Sequence, residues 1–234
     1  MKVNQFLQQY HNGNRVFAKT NLQEAELIKV NLSQIDLTAA DLRQARLGRT
    51  NLSDACLSRA DLSESILWGT DLTKADLTKA ILREADLSGA ILTKANIKQA
   101  DLTKAILKGA NLSYAQLAEA LMLEVDLRPT ADYRTNLSNA NLSNANLSYA
   151  NLSMAILYQA NLDSAKLCRA NLSAGIGLAT DLTKASLQGA DLSYANFSGA
   201  ILTQANLRNA DLTGTNLDDA NLTETIMPDG SVYW

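Results

Sequence analysis

NLSNANLSYANLSMA, residues 141–155, is one five-residue phrase written three times. The same spacing runs along most of the chain. Leu stands at every position ending in 2 or 7 from Leu22 to Leu92, and the register continues with few exceptions to Met227. Ala usually lies two residues before each Leu, with Asn or Asp between them and Ser or Thr after, so the consensus is A-(D/N)-L-(S/T)-x. Five is the wrong period for an α-helix: successive leucines would be displaced by about 140° and would bury no stripe. It is also wrong for a flat strand, because an odd spacing sends alternate leucines to opposite faces.

The pattern is satisfied by a short extended piece, Ala-Asn/Asp-Leu, pointing in, out, in, followed by two residues that turn a corner. Repeating that unit coils the chain into a β-solenoid. Gly69, Gly89 and Gly109 occupy the same repeat position at intervals of 20, and four pentapeptides per coil would stack them along one edge. The expected cross-section is therefore square. About 10 coils at ~4.8 Å each give a rod roughly 50 Å long. Leu fills the axis, each contributing roughly 1.5–3 kcal/mol when buried. Asn, Asp, Ser and Thr suit the corners because their side chains hydrogen-bond nearby backbone groups.

Composition agrees with one continuous domain. The 234 residues include only 2 Pro and 11 Gly, and no Gly/Ser-rich or charge-block linker divides them. Net charge is −3, too balanced for a nucleic-acid binder. Charge is uneven along the chain: residues 40–110 hold 11 Lys/Arg against 9 Asp/Glu, and residues 111–234 hold 6 against 12. Two distant cysteines, Cys56 and Cys168, indicate no disulfide framework. With no secretory apolar segment at the start and no run long enough to span a bilayer, the expected location is the cytoplasm, away from membranes.

ADLTKA at 75–80 and ANLSYANLSMA at 145–155 resemble the pentapeptide-repeat proteins. That resemblance implies an all-β, right-handed quadrilateral β-helix over residues 20–227. Stretches partly outside the consensus add to it: SILWGTDL at 65–72, ILREADL at 81–87, VDLRP at 125–129, AKLCRANL at 165–172, ASLQGADLSYAN at 185–196 and IMPDGS at 226–231. They are similar to cyanobacterial members of the family associated with regulation of heterocyst differentiation. The resemblance implies a protein partner in that pathway, such as a developmental transcription regulator.

A solenoid exposes its core at both ends, which calls for caps. Val3, Phe6, Leu7 and Tyr10 fall at i, i+3, i+4 and i+7, predicting a short amphipathic helix within an N-terminal cap, residues 1–19. Residues 228–234 form the C-terminal tail, with Val232, Tyr233 and Trp234 as the expected plug. Two interruptions break the Leu register. Near 128–134 the expected Leu is Asp132, and a carboxylate should not face an apolar axis unpaired. Near 174–178 it is Gly177. Both segments are expected to leave the wall as loops, about 45 residues apart and on nearby faces.

Departures from a uniform rod are natural recognition sites. The candidate partner-binding residues are Arg128, Pro129, Asp132, Tyr133 and Arg134 in the first loop, with the outward aromatics Trp68, Tyr114, Tyr149, Tyr158 and Tyr194. Catalysis is not expected. His11 is the only histidine and has no cysteine near it, periodic carboxylates diverge around a wall, and no phosphate loop, CxxC or HExxH motif is present. Neither a cofactor nor a metal is expected. The expected function is a non-enzymatic protein-interaction scaffold, acting as a monomer. The alternative is DNA mimicry against DNA gyrase, which the family's quinolone-resistance members imply, although those rods are strongly acidic and dimerise through a C-terminal helix absent from IMPDGSVYW.

Overall fold

In the computed structural model, which describes residues 2–234, each pentapeptide places its central residue in a parallel bridge with the residue 20 positions on. One such row runs Asn31, Asn51, Asp71, Ile91, Asn111. Four rows, beginning at Val16, Asn21, Glu26 and Asn31, define four faces, here the first to fourth in chain order. Ala and Leu flank each bridge residue and are buried: Ala110 and Leu112 have no exposed surface, while Asn111 between them is partly exposed. The in, out, in reading of the repeat is what the chain does. The backbone then closes the wall between coils, as where Leu72 donates its N–H to the Ile91 carbonyl (2.7 Å) and Asp71 to that of Thr50 (3.0 Å).

The corners explain the polar consensus. The Asp71 carboxylate accepts the Thr73 N–H at 2.9 Å, and Asn151 accepts that of Ser153 at 3.1 Å, so the Asn/Asp side chain caps the turn that follows it. The last residue of the repeat then adopts a left-handed conformation. Lys79, Glu84, Gln99 and Tyr114 all do so, and the non-glycine values beyond the helix lie between +54° and +61°. An L-residue there costs about 1–2 kcal/mol. The cost is offset because that residue donates its N–H into the next coil, Lys79 to the Lys98 carbonyl at 2.9 Å. Branching at Cβ would add crowding that unbranched side chains avoid. Lys79→Val is therefore expected to lower stability by about 1–2 kcal/mol in urea unfolding, and Lys79→Gly to leave it within about 0.5 kcal/mol.

Helix α1, Val3–His11, covers the first coil. Phe6 is fully buried and meets the Phe17 ring at 4.6 Å between centroids. Tyr10 is buried, its hydroxyl donating to the Ser33 carbonyl at 2.9 Å beneath the Arg15 guanidinium. Val3 and Leu7 are only partly buried against the core. The other end departs from expectation. Strand β1, Thr225–Ile226, pairs antiparallel with β2, Val232–Tyr233. That pairing holds the tail in a hairpin beside the last coil, so Val232, Tyr233 and Trp234 stay exposed and do not plug the core. Leu212, Leu217 and Leu222 are left partly exposed.

At each interruption the ladder jumps from a spacing of 20 to 25, at Asn111–Asn136 and again at Ile156–Asp181. Each excursion thus inserts one repeat length and leaves all later residues in phase. The first leaves the wall after Leu127 and the second after Leu172, both on the third face, and each rejoins on the fourth. The two loops leave the same edge of the rod, two coils apart.

Candidate protein-interaction edge

The edge between the third and fourth faces is built differently from the other three. Where each loop rejoins, Thr replaces the inward Ala. The buried Thr135 hydroxyl accepts the Gly109 N–H at 2.8 Å and lies 3.0 Å from the Arg128 carbonyl. The equally buried Thr180 accepts the Met154 N–H at 2.8 Å and lies 3.0 Å from the Ser173 carbonyl. Each hydroxyl reinforces a backbone pair that spans the mouth of the excursion, Gly109 N–H to the Arg128 carbonyl at 3.1 Å and Met154 N–H to that of Ser173 at 3.3 Å. These threonines escaped the sequence reading, although TNL at 135–137 and TDL at 180–182, directly after the interruptions, carried the signal.

Within the first loop, Arg128 grips Asp126 through two hydrogen bonds of 2.9 and 2.8 Å, and the Lys108 amine lies 3.2 Å from the same carboxylate. Burial pushes the Asp126 carboxyl up, but hydrogen bonds from Arg128 and Lys108 outweigh it and hold the group below the usual carboxylate range. Thr130 and Tyr133 close the turn through reciprocal bonds: Thr130 N–H to the Tyr133 carbonyl at 2.8 Å, and Tyr133 N–H to the Thr130 hydroxyl at 3.0 Å. Asp132 and Tyr133 point into solvent, and Pro129 is half-buried.

Arg134 has a different position from its loop neighbours. Its Nε donates to the Met154 carbonyl (2.8 Å), and its Nη2 to those of Ala155 (3.2 Å) and Ala179 (2.6 Å). The guanidinium thus reaches across the intervening coil and ties the first loop to the second. The second loop is a tight turn in which Gly175 donates to the Leu178 carbonyl at 2.8 Å. The Met154 side chain fills the space where a Cβ on Gly175 would lie, so a larger residue there would have to displace it. Ile176 at the tip is fully exposed, at 104% of its reference area.

Beside the first loop the edge is bare. Gly89 has open space where a side chain would be, whereas a Cβ on Gly109 would meet Thr130 at 2.9 Å. Gly89, Ile91, Gly109, Asn111 and Tyr133 line a groove of about 360 Å³. Farther toward the N-terminus, Trp68 packs over Gly48 and lies 4.6 Å beneath the Arg49 guanidinium. The structure therefore gathers Trp68, Arg128, Pro129, Asp132, Tyr133 and Arg134 onto one edge. It places the other aromatics elsewhere. Tyr114 and Tyr158 lie between the fourth and first faces, while Tyr149 and Tyr194 lie between the second and third, bracketing Arg169 at 5.9 and 5.6 Å. Among the described residues no group of His, Cys, Asp or Glu could hold a metal ion, and no helix is long and apolar enough to cross a membrane.

A rod of four-sided coils, each turn of the wall supplied by four A-(D/N)-L units, defines the class: the chain belongs to the pentapeptide-repeat family. It matches pentapeptide repeats in 8 copies within residues 16–122, 135–173 and 179–228, and the gaps contain the two loops. Among solved structures it is similar to HetL, a pentapeptide-repeat protein involved in heterocyst differentiation regulation from the cyanobacterium Nostoc sp. strain PCC 7120. Identity is 56%, both chains are covered over 100% of their length, and the TM-score is 0.99. A pentapeptide-repeat protein, Rfr23, from the cyanobacterium Cyanothece 51142 is 33% identical over 58% of this chain and 66% of its own, with a TM-score of 0.20. QnrB1, a plasmid-mediated fluoroquinolone resistance protein, is 19% identical over 92% and 91%, with a TM-score of 0.31. Among curated proteins none matches the chain.

Proposed function

We propose that this chain is a non-enzymatic scaffold that works in the cytoplasm on a protein regulator of cyanobacterial cell differentiation, and that the regulator docks on the loop edge. The full-length similarity to HetL carries the biological part of this reading. The local part rests on one observation: two one-repeat insertions emerge from the same edge and are joined by Arg134. Among the described residues, that edge alone combines loops, an exposed tyrosine and a groove, the features a specific partner needs. The DNA-mimic reading gains no support from the rod, whose corners include Arg59, Lys79 and Lys104 and whose net charge is only −3.

The insertion length supplies a clean test. Deleting residues 129–133 joins Arg128 to Arg134 and leaves DLRRTNL, which has uninterrupted pentapeptide spacing. The variant is expected to keep its circular dichroism spectrum and to lose at least about tenfold in affinity for the differentiation regulator that the wild type captures. A folded variant with unchanged affinity would remove the loop from the interface.

A further inference from the structure

The loop edge is complementary to itself when turned end for end. Its corners, taken outward from the first loop, pair by contrast. Two coils before that loop lies the bare Gly89 with its groove, and two coils after it lies the second loop with the exposed Ile176 at its tip. Four coils before is Arg49, and four coils after are Asp218 and Asp219. Knob faces groove and cation faces anions, at two distances from one centre.

The wider charge distribution has the same sense. Residues 40–110 carry an excess of two positive charges and residues 111–234 an excess of six negative charges. Two parallel rods would set like halves together, whereas an antiparallel pair sets unlike halves together. Because the patches flanking the central loop pair each with a different patch on the same edge, and the loop on the axis with its own copy, the contact closes on itself around a two-fold axis and cannot propagate into a filament.

We propose that two copies of this chain dock edge to edge and antiparallel, about a two-fold axis through the loop at 128–134. Ile176 of each copy sits in the other's groove beside Gly89, Ile91 and Tyr133, and Arg49 of each faces Asp218 and Asp219 of the other. This replaces the monomer expected from the sequence, and because the second copy covers the loop edge, it and the regulator compete for that surface. The contact is narrow, so the dimer is weak, in the micromolar range typical of interfaces under about 1,200 Å².

Sedimentation equilibrium of the full chain tests the proposal. At low salt the wild type is expected to dimerise between about 1 and 200 μM, and to weaken at about 0.5 M salt, where the Debye length falls to a few ångströms. Ile176→Asp, Arg49→Glu, and the pair Asp218→Arg with Asp219→Arg are each expected to weaken dimerisation at least about tenfold while circular dichroism stays unchanged. Mixing the Arg49→Glu chain with the Asp218→Arg/Asp219→Arg chain is expected to restore a dimer, since both charge contacts in that heterodimer join unlike charges. A wild type that remains monomeric at about 200 μM overturns the proposal. So does a dimer indifferent to these substitutions, or a mixture in which association is not restored.

Discussion

Truncating Phe197 to alanine is expected to cost about 3–5 kcal/mol, the usual range for emptying an aromatic site in a core that cannot collapse around it. Phe197 occupies a Leu slot of the third face and is fully buried. It lies among Leu192, Leu202 and Leu207, close to the end of the rod where Leu212, Leu217 and Leu222 are already partly exposed. In a solenoid each coil is held mainly by its neighbours, so the damage should be local in its first expression. Hydrogen exchange is expected to quicken from about residue 182 onward while the amides of residues 52–87 keep their protection. Uniform loss of protection along the rod would show that the coils unfold as one unit.

Replacing Arg134 by alanine is expected to lower stability by about 2–3 kcal/mol, because three carbonyls lose a charged donor at once. The value is held below the sum of three buried bonds because the edge is only partly buried and water can reach the freed carbonyls. Exchange should rise at residues 174–179, two coils away, since Ala179 loses its tie to the first loop. Arg134→Lys should recover less than half of the loss: an ammonium is a single point charge and cannot span three acceptors as a planar guanidinium does. If Arg134→Ala instead leaves both stability and exchange unchanged, the cross-coil tie contributes nothing to the edge.

Arg134 also shows where sequence reading meets its limit. Its residue type and its place in an interrupted segment mark it as a surface contact, and the same features hold for Arg128, six positions before it. The difference lies in what comes within reach. Arg128 finds Asp126 two positions back, whereas the acceptors of Arg134 lie 20, 21 and 45 residues on. No local pattern announces a partner at that separation. The tail gives a similar case. An apolar Val232-Tyr233-Trp234 suggests a plug, but hydrogen bonds between Thr225–Ile226 and Val232–Tyr233 win over burial and leave the side chains outside.

The sequence by itself determined the coil. A period of five excludes helix and flat strand, the Leu and Ala positions name the core, the glycine interval of 20 sets four sides, and the apolar spacing from Val3 to Tyr10 places a helix at the first coil. These follow because each depends only on which way successive side chains point. Only the tertiary structure decided that lysine, glutamate and tyrosine hold left-handed corners, since that conformation is sustained by hydrogen bonds from the next coil. It alone decided that both loops share one edge with the bare groove, because an excursion keeps or shifts the phase according to how much chain leaves the wall. Ladder pairing 25 residues apart fixes that amount, and the repeat pattern inside an interruption does not.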